Sequence, residues 1–307
     1  MKQYKNLNTL SGRHKDSVLV IGNFDGVHIG HQKLITQATG KAHARQKPAG
    51  LLTFEPHPRS LFRPDDPPFR ITPEAVKMRR LRECGLDFVM SLHFDWDFAS
   101  QNAGQFIETI LDKTLKPSEI FIGHDFRFGQ MRKGSYKDLQ NAGYSTTVIS
   151  EITDKNGEAY SSSRIRSALR HGYISQANDS LGWEWEIEGP VFKGDQRGRE
   201  LGYPTANIAL KETIHPAYGV YASLVQIEGE DTWRPAATNI GIRPMFEVPT
   251  GQLEAYLLDY DADLYDKTIR VKPVRLLRGE AKFNSLDDLV NQMDKDVKKT
   301  REVLDDL

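Results

Sequence analysis

The chain has 307 residues, of which 38% are hydrophobic and 27% charged, a balance typical of a globular protein long enough for two domains. Its 41 Lys and Arg residues nearly match its 42 Asp and Glu residues, and the formal net charge of −1 excludes a whole-molecule field that attracts nucleic acid. The single cysteine, Cys84, excludes an internal disulfide. The sequence shows neither a long apolar run nor an apolar signal core, so we expect a cytoplasmic protein that binds neither membranes nor nucleic acid.

Short apolar runs alternate with helical stretches in the first half of the chain. The apolar runs predict β-strands at residues 17–22, 50–54, 88–92, 119–122 and 146–149. The stretches between them predict helices at residues 30–44, 72–85, 104–115 and 135–142. Alternation of this kind predicts an α/β fold with a doubly wound parallel sheet, in which ligands bind beyond the carboxyl ends of the strands.

After Gly182 the pattern changes to β-rich runs separated by Gly, Pro and Asp. These runs predict strands at residues 185–192, 219–227, 234–240, 253–259 and 268–277. Short strands at this spacing are typical of an antiparallel β-barrel. Apolar residues at helical spacing predict a C-terminal helix over residues 286–304. The sequence thus predicts two domains, residues 1–183 and residues 184–307.

The strongest local signal is GNFDGVHIGH, which runs from Gly22 to His31. A predicted strand ends there, glycines permit a tight turn and a helix begins, which places backbone N–H groups and the positive end of the helix dipole where a phosphate binds. His28 and His31 share one helix face, so both imidazoles can donate hydrogen bonds to charge that develops at phosphorus. Two alternatives remain: each histidine packs or caps locally, or the pair joins Asp25 in a metal site.

The second half contains a glycine-rich segment, GPVFKGDQRGRELGYPTANI, at residues 189–208. Its glycines permit a close approach of the backbone, and its Lys and Arg residues add positive charge. An ordinary barrel hairpin is the alternative. Thr205 and Asn207 are two residues apart and lie on one side of an extended segment. Neutral oxygens of this kind, together with nucleotide phosphates, suit Mg²⁺.

The two halves together resemble one protein family. GNFDGVHIGH is similar to the signature of the HIGH-motif nucleotidyltransferases, and in particular of the FMN adenylyltransferase module of bacterial bifunctional riboflavin kinase/FAD synthetases. The segments LLTFEPHP, IGHDFRFG and SSSRIRSAL resemble further segments of that module, in the same order. The glycine-rich segment with PTAN resembles the riboflavin kinase module, as do GVYA, NIGIRP, LEAY and LRGEAKF. The resemblance covers the chain from about residue 17 to residue 303.

The resemblance implies a set of site residues and a Rossmann-like first domain. The implied catalytic residues are His28 and His31 in the first module and Glu254, as the general base, in the second. The implied ATP contacts are Gly22, Phe24, Gly30, Ser162, Ser163, Arg164, Arg166, Gly189, Lys193, Gly194 and Gly198. The implied flavin contacts are Asp125, Phe126, Phe128 and Arg301, and the implied Mg²⁺ ligands are Thr205 and Asn207. Three residues depart from the family's usual pattern: Ser163 and Met245 stand where Thr is usual, and Tyr256 where His is common.

The chemistry of the segments agrees with these roles. The hydroxyls and guanidinium groups of SSSRIR suit a triphosphate, although an N-cap with surface arginines is the alternative. The HDFRFG segment combines a carboxylate with two aromatic rings that suit the edge and the face of an isoalloxazine, and an ordinary aromatic turn is its alternative. In TFEPHP, a structural role for His57 is favoured over a catalytic one.

The resemblance implies two reactions on three small-molecule partners, riboflavin, FMN and ATP, with Mg²⁺ as cofactor. Riboflavin and ATP would give FMN and ADP, and FMN and a second ATP would give FAD and pyrophosphate. Two rival hypotheses remain: an adenylyltransferase whose barrel acts only as a flavin-binding module, and a flavin carrier without catalytic activity. The oligomeric state, including a homo-oligomer, is left open by the sequence.

Overall fold

The computed structural model describes residues 1–194, 198, 201–243 and 250–306, and the chain forms two compact units. The first unit comprises Met1–Asp66 and Glu74–Ser161, and the second comprises Pro67–Pro73 and Ser162–Leu307. The packing units therefore divide after Ser161, and one short segment of the first half belongs to the second unit. The predicted division of the two activities after residue 183 stays a prediction.

A parallel sheet of six strands forms the centre of the first unit. Its strands are β1 (Lys2–Tyr4), β2 (Val18–Ile21), β3 (Ala49–Glu55), β4 (Phe88–His93), β5 (Glu119–Gly123) and β6 (Thr146–Ile149). They pair in the order β1-β4-β3-β2-β5-β6, and every pair is parallel. The predicted parallel sheet is confirmed. Strand β1 was not predicted because three residues with one buried side chain leave no periodic signal.

Helices connect these strands. They are α1 (Ile29–Ala44), α2 (Pro58–Phe62), α3 (Glu74–Arg82), α4 (Trp96–Ala99), α5 (Ala103–Phe106) and α6 (Tyr136–Asn141). Helix α5 continues as a π-helix over Ile107–Leu115, and single 3₁₀ turns lie at Leu7–Thr9, Gly12–His14 and Gln130–Arg132. The helix predicted from residue 104 to residue 115 is therefore present with a change of winding at Ile107.

Strand β2 shows why the sequence forms a sheet covered on both faces. All four of its side chains are buried: Leu19 and Ile21 belong to one apolar core, and Val18 and Val20 belong to another that includes α1. A continuous apolar run is what such a strand requires. Because β2, β3 and β5 are parallel, the motifs that follow them emerge at the same edge of the sheet.

The second unit is built on a six-stranded antiparallel sheet. Its strands are β7 (Ile187–Pro190), β8 (Ala206–Ala209), β9 (Gly219–Ile227), β10 (Trp233–Arg243), β11 (Thr250–Leu257) and β12 (Thr268–Gly279). They pair in the order β7-β12-β9-β10-β11-β8, and a bridge between Phe192 and Asn207 nearly closes the barrel. The predicted barrel is confirmed, with β8 as an additional strand that its glycine-rich flank and its short length concealed.

The described part of the second unit also contains the helices α7 (Ser162–Arg170), α8 (Ile174–Leu181) and α9 (Leu286–Asp305). Side chains of α7 and α8, among them Ile165 and Leu181, are fully buried in the core of the barrel unit. The indole N–H of Trp185 donates to the carbonyl oxygen of Ile71 at 3.0 Å, which ties the segment Pro67–Pro73 to this core. None of the described helices is long and apolar enough to cross a membrane.

Candidate active sites

The histidine pair lies where β2 has ended and α1 begins. His28 is the N-cap residue of α1, and its Nδ1 accepts a hydrogen bond from the backbone N–H of His31 at 3.3 Å. The two imidazole rings are stacked, with ring centroids 3.6 Å apart and planes inclined by 21°. The structure therefore brings the predicted pair together at the N-terminus of a 16-residue helix, where the helix dipole favours an anion.

The cap determines which nitrogen of His28 carries a proton. Because Nδ1 accepts the His31 N–H, a neutral imidazole carries its hydrogen on Nε2. The local capping that the sequence left open is thus present, and it uses a different nitrogen from the one that would donate to a phosphate oxygen. Capping and phosphate binding are therefore compatible in this histidine.

Close contacts explain two glycines of the motif. A Cβ on Gly30 would lie 3.1 Å from both Cε1 and Nδ1 of His28. A Cβ on Gly22 would lie 3.1 Å from the ring of Phe24, which is 1% exposed and has a φ of 55°. The Phe24 ring also meets His31 edge to face, with centroids 5.1 Å apart. Phe24 thus supports the loop from within. The ATP contacts predicted for Gly22, Phe24 and Gly30 stay predictions.

Asp25 is 2% exposed and lies inside the turn. Among the residues that the structure describes, no group of three or more His, Cys, Asp or Glu side chains is placed to hold a metal ion. Asp25 therefore does not complete a metal site with His28 and His31. Its burial favours the role of shaping the turn.

A buried cation beside the loop was not predicted. Lys77 of α3 is 0% exposed, and its Nζ lies 2.5 Å from Glu55 Oε1, 3.2 Å from Thr53 Oγ1 and 3.4 Å from the carbonyl oxygen of Asn23. Thr53 Oγ1 donates to the same Asn23 carbonyl at 3.1 Å. These contacts tie the loop after β2 to the end of β3. The available signal was that Lys77 precedes Leu81 by four residues and so lies on the buried face of α3.

The three predicted flavin contacts of HDFRFG differ in accessibility. Asp125 is exposed and Phe126 is half-buried, whereas Phe128 is 6% exposed. The rings of Phe126 and Phe128 stack with centroids 5.8 Å apart, and Phe128 also lies 5.1 Å from Phe106. Phe128 is thus part of the core, and Asp125 and Phe126 are the members that a flavin can reach. The flavin contacts themselves stay predictions.

An exposed aromatic edge in the first unit was missed by sequence reasoning. Phe62 and Trp96 are 54% and 63% exposed and meet edge to face with centroids 5.6 Å apart. Phe94 lies 5.9 Å from Phe62 and 5.4 Å from Phe98, so the edge continues into the core. The aromatic-rich segment HFDWDF was the available signal. Exposed rings of this kind offer a flat apolar surface to a ligand.

The SSSRIR segment forms the start of α7, as predicted, with Ser162 and Ser163 as its first two residues. Arg166 Nε donates to the carbonyl oxygen of Phe69 at 2.9 Å, and its guanidinium carbon lies 5.5 Å from the centroid of the Phe69 ring. Residues from Ser162 onward belong to the second unit, whereas the histidine pair belongs to the first. ATP contacts of Ser162, Ser163, Arg164 and Arg166 stay predictions.

Thr205 lines each of two pockets formed by described residues of the barrel. The first has a volume of about 390 Å³, and its lining includes Gly194, Asn207 and Tyr265. The second has a volume of about 350 Å³ and includes Glu254 in its lining. Two adjoining pockets suit a reaction that joins two substrates, because one can hold the nucleotide while the other holds the acceptor.

The pairing of β11 with β8 places Glu254 directly opposite Asn207. Asn207 lies on the first pocket and Glu254 on the second, with Thr205 at their border. Asn207 Nδ2 donates to the carbonyl oxygen of Thr205 at 3.1 Å. The predicted base and the predicted metal ligands, far apart in the sequence, are therefore neighbours where the two pockets meet.

Gln252 is a further polar residue of this site that the sequence did not reveal. It is 7% exposed, and its Nε2 donates to Asn207 Oδ1 at 2.7 Å and to Glu254 Oε1 at 3.2 Å. The available signal was its spacing of two from Glu254, which places both side chains on one face of β11.

The glycine-rich segment contacts the same site. A Cβ on Gly194 would lie 2.7 Å from Asn207 Nδ2, so the backbone packs directly on this side chain. The carbonyl oxygen of Gly198 accepts a hydrogen bond from the Tyr203 N–H at 2.7 Å. Gly189 lies within β7, where a Cβ would make only ordinary contacts. ATP contacts of Gly189, Lys193, Gly194 and Gly198 stay predictions.

Arg301 of α9 forms a bidentate ion pair with Asp259, with both N···O distances at 2.8 Å. The hydrogen bonds from Arg301 hold the pKa of Asp259 below its usual value. The flavin contact predicted for Arg301 stays a prediction, and in the structure its guanidinium is engaged with this carboxylate.

Of the three departures from the family pattern, Tyr256 lines the second pocket. Its ring meets Tyr203 edge to face, with centroids 5.1 Å apart. The hydroxyl of Tyr203 donates to Asp294, and this hydrogen bond raises the pKa of Tyr203 to about 12. Ser163 is an exposed residue of α7. Met245 lies outside the described residues.

Comparison with known proteins identifies the family. A family model described as FAD synthetase matches residues 10–165, and one described as riboflavin kinase matches residues 181–304. The bifunctional riboflavin kinase/FMN adenylyltransferase of Escherichia coli strain K12 is 39% identical over 306 residues, which cover 98% of this chain and 97% of that protein. The protein of the same name from Haemophilus influenzae is 36% identical over 282 residues, 91% of each chain. The crystal structure of a Streptococcus pneumoniae protein named as a macrolide-efflux protein matches with a TM-score of 0.84 and 33% identity, over 97% of this chain and 98% of that one.

The two family models match one chain in the order in which the parallel sheet and the barrel follow each other. They confirm the predicted family, the predicted pair of enzyme classes and the predicted role in flavin cofactor biosynthesis. They also favour a bifunctional enzyme over an adenylyltransferase whose barrel only binds flavin. The chain therefore belongs to the family of bifunctional riboflavin kinase/FMN adenylyltransferases.

Proposed function

We propose that the barrel transfers the γ-phosphoryl group of ATP to riboflavin, and that the site at the histidine pair joins the resulting FMN to the AMP part of a second ATP. The pairing of Glu254 with Asn207 where two pockets meet supports the first assignment. The stacked histidines at the N-terminus of α1 support the second. We place both reactions in the cytoplasm, where ATP is available to them.

In the kinase reaction, ATP occupies the first pocket and riboflavin the second. Glu254 takes the proton of the terminal ribityl hydroxyl as its oxygen attacks the γ-phosphorus. The new O–P bond forms as the bond to the bridging oxygen breaks, and ADP leaves. The position of Glu254, across from Asn207, brings the base to the border that the phosphoryl group must cross.

The residues of the first pocket fit Mg²⁺ bound together with ATP. Asn207 and Thr205 line this pocket and each carries a neutral side-chain oxygen, and phosphate oxygens and water would supply the remaining ligands. The glycine at position 194 lets the backbone lie against Asn207, which holds this side chain at the wall. When bound, the ion would neutralise charge on the phosphate oxygens during transfer.

In the adenylyltransferase reaction, a phosphate oxygen of FMN attacks the α-phosphorus of ATP, and pyrophosphate leaves. The FMN phosphate is already ionised near neutral pH, so the site needs charge stabilisation and positioning more than a base. His28 Nε2–H and the His31 ring donate to the oxygens that gain charge, and the N-terminus of α1 adds its dipole. Phe126 and the exposed edge formed by Phe62 and Trp96 supply apolar surface for the flavin ring.

One experiment tests both assignments. The protein is incubated with riboflavin and Mg-ATP, and in parallel with FMN and Mg-ATP, and the flavins are resolved by chromatography. We expect FMN and FAD from the first mixture and FAD from the second, and chelation of Mg²⁺ should stop both. FAD from FMN without any FMN from riboflavin would instead support an adenylyltransferase with a flavin-binding barrel, and flavin binding without ATP consumption would support a carrier.

A further inference from the structure

We infer that Gln252 is a positioning residue that couples the base of the kinase reaction to its metal ligand. The side-chain amide lies between Glu254 and Asn207 and contacts both. The inference rests on the proposed kinase function of the barrel and goes beyond it, because it assigns a role to a residue that lines neither of the two pockets.

The position of Gln252 follows from the register of the sheet. Gln252 lies opposite Ala209 and Glu254 lies opposite Asn207, so the side chains of Gln252, Glu254 and Asn207 share one face of the β11-β8 pair. Gln252 and Asn207 are 7% and 6% exposed, so water does not compete freely for their hydrogen bonds.

The polarity of Glu254 determines the orientation of the whole group. An ionised carboxylate only accepts hydrogen bonds, so the end of the Gln252 amide that faces Glu254 must be its NH₂ group. The same NH₂ group lies 2.7 Å from Asn207, which must therefore turn its Oδ1 toward it. Asn207 Nδ2 is then left to donate to the carbonyl oxygen of Thr205 at 3.1 Å. Every donor in this series meets an acceptor, and a flip of either amide would place two oxygens or two N–H groups against each other.

This orientation has a consequence for catalysis. Asn207 holds its oxygen in a fixed direction before any nucleotide binds, and a carbonyl oxygen that accepts one hydrogen bond retains a second lone pair for a cation. The same Gln252 amide donates to Glu254 Oε1 at 3.2 Å and so holds in place the carboxylate that accepts the ribityl proton. One side chain thus prepares both the metal ligand and the base, as residues behind a metal ligand commonly do.

Two isosteric substitutions test the inference. Gln252→Met removes both donors at nearly constant volume, and Gln252→Glu replaces the donors by acceptors. Gln226→Met is the matched control, because Gln226 lies on β9 of the same barrel and accepts from Arg270 at 2.6 Å. Half-saturating Mg²⁺ and kcat are measured for FMN formation, and the thermal midpoint is recorded for each variant.

For Gln252→Met we expect half-saturating Mg²⁺ to rise by about tenfold or more, within the range of about 10–100 known for residues behind metal ligands. Gln252→Glu should lower kcat further, because a second carboxylate faces Glu254 and turns the Asn207 amide around. Gln226→Met should keep the wild-type Mg²⁺ requirement whatever it does to the thermal midpoint. A purely structural role for Gln252 would lower the midpoint without changing the Mg²⁺ requirement, and that result would overturn the inference.

A double variant separates the inference from the proposed function. In an Asn207→Ala background, Gln252→Met should raise half-saturating Mg²⁺ by less than twofold, because its effect passes through Asn207. Full additivity of the two substitutions would show that Gln252 acts independently and refute the coupling. Wild-type protein that forms no FMN would refute the kinase function itself, whereas wild-type protein that forms FMN with an unchanged Gln252→Met variant would refute only the coupling.

Discussion

Replacing Gly30 with alanine should separate stability from catalysis in the first unit. The added Cβ would lie 3.1 Å from two atoms of the His28 ring, so the imidazole must move by a few tenths of an ångström. A shift of about 1 Å in an active site can cost about 100-fold in rate. We therefore expect Gly30→Ala to lower the rate of FAD formation from FMN by about tenfold.

The same substitution should not weaken the fold. Alanine is favoured over glycine within a helix by up to about 1 kcal/mol, which offsets the contact with His28. Gly40 provides the matched control, because it lies in the same helix and a Cβ there meets nothing within 4 Å. Gly40→Ala should increase the free energy of unfolding by about 1 kcal/mol and leave FAD formation unchanged.

The assay follows FMN-to-FAD conversion by chromatography and unfolding by circular dichroism, with FMN formation from riboflavin as an internal control. In Gly30→Ala the kinase rate should match the wild type, since the residues proposed for the kinase reaction lie in the barrel unit. Wild-type FAD formation in Gly30→Ala would refute the claim that the position of His28 controls this reaction. An equal loss in Gly40→Ala would show that the helix, and not the contact, is responsible.

The two candidate sites, the buried Lys77 and the helices of the second unit can each be tested by a substitution or a truncation. His31→Ala should lower the rate of FAD formation by a factor of about 10²–10³ and leave FMN formation unchanged. Glu254→Gln should lower the rate of FMN formation by a factor of about 10²–10⁴ and still convert added FMN to FAD. Loss of the same activity in both variants would contradict two separate sites. Lys77→Met should lower the free energy of unfolding of the first unit by about 3 kcal/mol, because it leaves the Glu55 carboxylate without its buried cation. A loss below about 1 kcal/mol in chemical unfolding would show that this ion pair does not stabilise the unit. A fragment of residues 162–307 should have a higher thermal midpoint than one of residues 184–307, because it keeps the buried residues of α7 and α8. Both fragments should phosphorylate riboflavin. Equal thermal midpoints would show that these helices do not stabilise the barrel.

The fold could be predicted from the sequence wherever the hydrophobic period was long enough. The run around Leu19 and Ile21 is apolar on both faces, as a strand in a sheet with both faces buried requires. Helix α1 follows a motif that marks its start. The short strands β1 and β8 carry too few residues to show a period. The change of winding at Ile107 leaves the amphipathic pattern intact and therefore has no separate signal.

The candidate sites were predictable where chemistry and spacing coincide locally. The His28 and His31 pair and the Thr205 and Asn207 pair are each defined within a few residues. The structure stacks the two imidazole rings and places Thr205 and Asn207 in the lining of one pocket. Gln252 could not be predicted in this way, because its role depends on the register between β11 and β8. Lys77 had a weak signal, its place on the buried face of a helix, but the sequence does not show which carboxylate meets it.

The boundary between the units shows a limit of periodicity. The pattern of α7 and α8 reveals which face is buried, but a helix has the same period whether it packs on a parallel sheet or on a barrel. The structure places Ile165, which lies between the two arginines of SSSRIR, in the core of the barrel unit. The family matches end at residue 165 and resume at residue 181, so most of α8 belongs to neither. The core of the second unit therefore fixes the backbone that carries Arg164 and Arg166, residues whose predicted function belongs to the first reaction. A functional boundary predicted from motifs and a folding boundary set by core packing are different quantities, and the predicted boundary after residue 183 does not coincide with the division of the packing units after Ser161.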